Sequence, residues 1–324
     1  MRDRTMHPTT EQQAEKFRNR KRKSAEYTAV YELLEEPNPD IELVFFHGLQ
    51  MEGSAPEHSF WRTWKLRGSE DCWPEALLPE MLHGRRFNQD YQIKARVLAV
   101  SYEGRPDLDG DELGDDCLIA DSLVYNLILD NELKVGQRKG VPVFLLGHDL
   151  GGILIKRFVM MLESQVLGTI DEEEREKIRS FLKNLKSVFF FATPHSGSPA
   201  IEAMASRIDD STTNEMLHLM KVLNTETGRI NAEFQQYRRG ETNSKVSRFT
   251  SHAVHATNAT NEGGFHNVLV VPEGSARYDV DSFYSVSANH FSVCQAEGTY
   301  TSSIRFLSER IKSEVWKAQG ERGR

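Results

Sequence analysis

The chain has 324 residues, 39% hydrophobic and 27% charged, with a formal charge of −8. That length buries a large core without a structural metal, and the acidic balance excludes a general pull towards nucleic acid. Cys72, Cys117 and Cys294 are too few and too unevenly spaced for a disulfide framework, so a reducing, cytoplasmic setting is expected.

Residues 1–25 are polar and basic, with a cluster from Arg18 to Lys23, and read as a flexible tail or a frayed helix. Such a run can serve as a peripheral membrane contact or a nuclear address, or it can be a solvated arm. No apolar stretch approaches the roughly 20 residues that cross a bilayer, and no secretory leader is expected. From residue 26 to about 320 one domain is expected. Residues 27–34 read as an edge strand, and 41–46 as a buried strand ending in His47-Gly48. Residues 96–102 form a further strand, and 116–130 carry apolar residues at helical spacing. A strand over 141–146 runs into a helix over 150–162, and 187–192 is again a strand. Residues 196–245 interrupt the series and read as a small helical lid. Strand character resumes over 247–257, 267–271 and 283–287, and a helix over 299–317 closes the chain. Continuous apolar strands alternating with amphipathic helices predict a mostly parallel sheet covered on both faces.

The segment Gly147-His148-Asp149-Leu150-Gly151-Gly152 carries the most information. A buried strand passes into a helix with almost no loop. The residue at the apex sits on a sharp, strained turn, so the positions two before and two after it must be small. Gly147 and Gly151 meet that demand and present Asp149 at the carboxyl edge of the sheet, where open α/β sheets hold ligands. In such an elbow the amide after the apex and an amide from the loop after an earlier strand form an oxyanion hole. Leu150 and Leu49 are the candidates. His290, between the last strand and the last helix, stands where a general base follows in chain order. For its partner, Glu262 is the nearest carboxylate, Glu273 is a second choice, and Asn258 is an alternative that could orient the ring. His47, Gly48, His148 and His195 are expected around the pocket, His47 either in a chemical role or as a hydrogen-bonded support.

Four runs occur in order: Phe46-His47-Gly48, the elbow from Gly147 to Gly152, Phe191-Ala192-Thr193-Pro194-His195-Ser196-Gly197-Ser198, and Asn289-His290-Phe291-Ser292-Val293-Cys294. Over about residues 27–315 they resemble the lipase-like group typified by the serine-active-site-containing protein 1. The resemblance implies an α/β-hydrolase fold, a lipid or ester substrate class, and association with mitochondrial or reticular membranes. It also implies serine at the elbow, where this chain has Asp149. A carboxylate cannot be activated as an alkoxide, so acyl transfer through this position is closed. Three readings follow. The domain is non-catalytic and binds a lipid-like or other small ligand or a partner. Alternatively Asp149 is itself the nucleophile and His290 the base, as in epoxide hydrolases and haloalkane dehalogenases, or Asp149 acts as base for a water. No cofactor or metal is expected. His252 and His255 fall on opposite faces of a strand, and the acidic run 107–112 lacks calcium-loop spacing. Trp61, Trp64 and Trp73 read as core anchors, and Cys294 as a packed thiol.

Overall fold

In the computed structural model, described over residues 10–24, 27–50, 56–86, 89–104, 116–168, 171–206, 215–241 and 248–322, eight strands form one sheet. They are β1 (Lys21–Ser24), β2 (Thr28–Leu34), β3 (Ile41–Phe46), β4 (Ala95–Tyr102), β5 (Val143–His148), β6 (Leu185–Phe191), β7 (Thr250–Ala256) and β8 (Ser282–Val286). The spatial order is β1-β2-β4-β3-β5-β6-β7-β8, antiparallel at β1–β2 and β2–β4 and parallel everywhere else. A separate hairpin pairs His83–Arg86 with Gln89–Gln92.

Both faces of the central strands are buried, which is why they read as unbroken apolar runs. Val44 and Phe46 of β3 enter one core with Leu98, Val100 and Leu145, while Leu43 and Phe45 enter the other with Val97, Ala99 and Leu146. Each such side chain, withdrawn from water, contributes about 1.5–3 kcal/mol. α1 (Thr10–Arg18) and α2 (Pro56–Thr63) lie with the second core, where Phe17 packs on Phe60 at 5.2 Å and on Trp61 at 5.9 Å. α3 (Asp116–Val124), α4 (Leu150–Gly168) and α5 (Glu172–Asn184) cover the first core with Ile119, Leu154, Phe158 and Phe181. The inserted segment gives α6 (Pro199–Ala205), α7 (Glu215–Leu219) and α8 (Thr225–Arg239), and α9 (Ser302–Arg322) closes the second core with Ile304, Leu307 and Ile311. Trp61, Trp64 and Trp73 are wholly buried, and the Trp73 indole donates to the Cys294 carbonyl at 2.8 Å.

Four expectations are revised. Residues 10–24 are not a free tail: Phe17 is in the core and β1 pairs with β2. Four of the cations there are engaged with the domain itself, Lys16 and Arg20 with Glu75, Arg22 with Glu32, and Lys23 with Asp130 and Glu132. The helix expected over 116–130 changes pitch, with a π-helix at Tyr125–Leu129 that follows α3. Buried Asn126 there donates to Thr28 Oγ1 at 2.8 Å, a polar tie that apolar periodicity cannot signal. Residues 267–271 make no strand and contribute one bridge, Val268 to Thr260; their apolar pattern instead sends Val270 and Val271 into the first core. The insertion packs α8 beside α4 and extends the helical layer, through Ile230 and Phe234 in the first core. The acidic run 107–112 lies outside the described residues.

Candidate functional site

Parallel pairing sets the site. Phe46 of β3 is in register with Gly147 of β5, and His148 is in register with Phe191 of β6. The loop after β3 therefore lies beside the turn after β5. Asp149 at that turn has φ +51°, a left-handed conformation that a non-glycine residue adopts only when its surroundings enforce it. The Asp149 N–H donates to the Phe191 carbonyl at 3.0 Å, and the Asp149 carbonyl accepts from Gly152 N–H at 3.1 Å. Gly151 is obligatory: a β-carbon there would lie 2.3 Å from the His47 carbonyl oxygen and 2.6 Å from that of Phe46. At Gly48 a β-carbon would meet His148 Nδ1 at 2.7 Å and Asp149 Cβ at 2.8 Å.

The Asp149 carboxylate is 1% exposed and has two neighbours. The Leu49 N–H donates to Oδ2 at 3.1 Å, and Oδ1 lies 3.3 Å from His290 Nε2. Burial works to raise the Asp149 pKa, but the His290 charge and hydrogen bond, with help from His148 and the Leu49 amide, hold it below the ordinary carboxylate value. Leu150, the first residue of α4, is wholly buried. The His290 backbone N–H donates to Thr260 Oγ1 at 3.1 Å, which fixes the loop carrying the ring. His290 Nδ1 is buried and has no partner among the described residues.

Sequence reasoning did not find the acid. Glu262 accepts from Asn289 Nδ2 at 2.8 Å, so the structure does not place it behind the His290 ring. Asn258 donates instead to Ser287 Oγ at 3.3 Å, and Glu273 faces Arg277 at 3.4 Å. The loop after β7 spends these groups on near neighbours: Asn258 on Ser287 just after β8, Glu262 on Asn289 and Glu273 on Arg277.

His148 Nε2 lies 2.8 Å from the His290 carbonyl oxygen, and burial, then the neighbouring His290 charge, pulls its pKa down to about 4. His47 is a support and does not line the pocket. It is wholly buried, its Nδ1 lies 2.7 Å from the Gly48 carbonyl oxygen, and its Nε2 accepts from the Tyr102 N–H at 3.3 Å. Its ring stacks on Tyr102 at 4.0 Å, and burial holds its pKa at about 4. The Tyr102 hydroxyl donates to the His47 carbonyl. Gln50 ties the same loop down, donating to Ser59 Oγ at 2.6 Å and accepting from Gly104 N–H at 2.9 Å. Neither Tyr102 nor Gln50 carried a sequence signal, since both act on groups of other segments that only the fold brings together.

A cavity of about 400 Å³ opens beside the elbow. Its wall includes Leu49, Gln50, Ser59, Arg62, Lys65, Glu70, His148, Glu262 and Phe291, and no described residue of the inserted segment 196–245. Cys294 also contributes to the wall, but its thiol donates to the Thr63 and Phe291 carbonyls and burial raises its pKa, so it is packed and unreactive. His195, expected in the pocket, sits elsewhere. It is wholly buried beside α4, with Nδ1 2.8 Å from Lys156 Nζ. Asn231 of α8 completes that cluster, accepting from Lys156 and donating to the His195 carbonyl. His252 and His255 bond to Ser282 and to the Val271 carbonyl respectively. Among the described residues, no helix is long and apolar enough to cross a membrane.

No family model matches the chain. It is 24% identical over 297 residues to Protein SERAC1 of Homo sapiens, covering 85% of this chain and 39% of that protein. It is 25% identical over 189 residues to Protein SERAC1 of Danio rerio, covering 58% and 25%. The chain thus spans well under half the length of the curated relatives it matches. Solved structures that align with it include the mature Bacillus licheniformis lipase BlEst2, at a TM-score of 0.46 with 15% identity over 88% of this chain and 98% of that one. A soluble variant of monoglyceride lipase from Saccharomyces cerevisiae aligns at a TM-score of 0.44 with 9% identity over 98% of both. Strand order, the left-handed turn at Asp149 and a histidine loop after the last strand give the chain an α/β-hydrolase fold, and its sequence resembles Protein SERAC1.

Proposed function

We propose that this domain is a non-catalytic member of its fold that binds a small molecule in the cavity beside the elbow. The carrying observation is the seat of the Asp149 carboxylate. Its Oδ2 already accepts the Leu49 amide, the donor an oxyanion would need, and its Oδ1 already faces the ring that would act as base. An acyl-transfer site needs that amide open and a hydroxyl in front of the imidazole. Here a buried anion fills both places, and no carboxylate backs His290 Nδ1 among the described residues. Asp149 itself is not part of the cavity wall, whereas its neighbour His148 is.

The same two contacts favour one other reading. With Oδ2 held by an amide, Oδ1 could attack an sp³ carbon, expel an alkoxide or halide, and form an alkyl ester. Water deprotonated by His290 would then cleave that ester at the Asp149 carbonyl carbon. Against this, none of the described cavity residues is a tyrosine or tryptophan that could donate to the leaving group.

Turnover in H₂¹⁸O over a panel of epoxides, haloalkanes and short esters separates the two readings. No product and no label in the Asp149 peptide is the expected result. Heavy oxygen in that carboxylate would overturn the binding reading. Asp149→Ser is expected to gain no esterase activity, because the imidazole lacks an acid to orient it.

A further inference from the structure

A second cavity of about 400 Å³ opens where β8 ends and α9 begins. Its wall includes Ser287, Ser292, Thr301, Ser302 and Ser303, with the ion pair of Arg67 and Glu297. Among the described residues it shares only Gln295 with the cavity beside the elbow. Open α/β sheets hold ligands at this carboxyl edge.

α9 begins there without a side-chain cap. The Thr301 carbonyl accepts the first helical bond, from the Arg305 N–H at 2.8 Å. The Thr301 hydroxyl turns backwards and accepts from the Glu297 N–H at 2.8 Å, so it does not serve the helix. The Ser302, Ser303 and Ile304 N–H groups find no acceptor among the described residues, and the first turn carries no acid. Free amides at the positive end of a 21-residue helix favour an anion.

Ser303 adds a donor that the chain leaves unused. It is 2% exposed, it belongs to the cavity wall, and its hydroxyl has no hydrogen-bond partner among the described residues. Hydroxyls buried to that degree are mostly paired. Nδ1 of His148 and of His290 have neither partner nor surface, whereas the Ser303 hydroxyl lacks only the partner, so it opens on the cavity. The Arg67 N–H donates to the Ala296 carbonyl at 2.7 Å, which fixes that residue beside the same space. Glu297 is the one carboxylate of the wall, and Arg67 neutralises it through Nη1. A guanidinium with five donors can keep that contact and face an anion with another edge. Amides, a hydroxyl and a guanidinium in one wall suit the three terminal oxygens of a phosphate monoester better than a planar carboxylate.

We infer that this cavity is a phosphate site, which seats a phosphate monoester on the Ser302 and Ser303 amides, the Ser303 hydroxyl and the Arg67 guanidinium. The alcohol carrying the phosphate is either small and soluble or the glycerol of a lipid, since the wall offers both the same chemistry. The site is separate from the binding proposed beside the elbow, and neither rests on the other.

The test titrates the full chain calorimetrically with inorganic phosphate and glycerol 3-phosphate at constant ionic strength, with glycerol as control. In parallel the chain is sedimented with phosphatidylcholine vesicles, with and without phosphatidic acid. Saturable binding of at least one phosphate probe, and none of glycerol, is expected. Binding of the soluble probes alone supports a soluble ester, and retention only by phosphatidic acid vesicles supports a lipid headgroup. Ser303→Ala removes one donor to the anion and is expected to weaken binding about tenfold. Ser302→Pro removes one amide at the first helical position, where proline is favoured, and is expected to weaken binding about tenfold without lowering Tm. Arg67→Ala, at an exposed side chain, gives a third variant that folding does not depend on, with a similar loss expected. Binding of no phosphate probe, or equal binding by the parent and the folded variants, overturns the inference.

Discussion

Asp149, at the turn before α4, and Lys156, two turns along that helix, are both buried, and they are housed by opposite means. Asp149, at the turn that starts the helix, sits among backbone: the Leu49 amide, the Phe191 carbonyl and glycines that admit no β-carbon. Lys156 sits among side chains: His195, Asn231, Phe190, Phe234 and Tyr278. Their electrostatics differ too. The carboxylate has an imidazole facing it and stays ionised, whereas burial pulls the ammonium down to about 7 despite a distant pull from Asp279. A backbone-built site is specified by the residues that must be absent, and a side-chain-built site by residues that can be exchanged.

The sharpest break in that comparison is Gly151→Ala. The new methyl would fall 2.3 Å and 2.6 Å from two carbonyl oxygens of the loop after β3, and neither can yield without moving the Leu49 amide. Overpacking against backbone at a strained turn is expected to cost about 3 kcal/mol or more. Calorimetry is expected to read this as a fall in Tm of several degrees, and an unchanged Tm would mean that the turn relaxes freely.

The same contrast explains what could be read from sequence. The sharp turn at Asp149 was legible because glycines at fixed offsets around a strand-to-helix junction have one steric meaning, and the approach of the loop after β3 to it was legible because β3 had to lie beside β5. The order of apolar strands and helices gave the covered parallel sheet for the same reason: periodicity reports burial. Glu262 was misjudged because chain proximity to a predicted strand end says nothing about which way a loop side chain turns. His195 was misjudged because Lys156, its partner, reads as an ordinary helix cation until α8 is seen to bury it. The docked helix α1 was missed since a basic, polar segment betrays its anchor only through Phe17.

Asp149→Asn tests whether charge contributes to the elbow beyond shape. The amide preserves volume and can still accept from the Leu49 N–H, but the negative charge facing the His290 ring is gone. A loss of about 1–3 kcal/mol is expected in urea titrations near neutral pH. Asp149 has its folded pKa below the unfolded 3.8, so the unfolded chain takes up its proton first as acid is added. The stability that the charge contributes is therefore present above pH 3.8 and is lost as pH falls through the lower folded value. The gap between parent and Asp149→Asn should accordingly close in acid below 3.8 and stay constant from pH 7 upwards. A gap that persists in acid would assign the loss to packing.

Lys156→Met gives the smallest effect at neutral pH, with a pH response of the same sign but moved to the alkaline range. Methionine fills similar volume and removes a desolvated ammonium, but it leaves His195 Nδ1 and Asn231 Oδ1 without their donor. These opposing terms are expected to leave stability at pH 7 within about 1 kcal/mol of the parent. Lysine has an unfolded pKa of 10.5 and a folded one of about 7, so between these values the unfolded chain binds the extra proton. Parent stability relative to Lys156→Met must then rise with pH across that window, by up to about 1.4 kcal/mol per unit. Below pH 7 the difference should be flat. The rings of Phe190, Phe234 and Tyr278, 5.4, 5.6 and 5.9 Å from Nζ, oppose this by favouring the charged form. If the difference stays level from pH 7 to 10, the aromatic cage outweighs desolvation and Lys156 remains a cation. Both positions would then hold true charges, and the contrast would reduce to backbone against side chain alone.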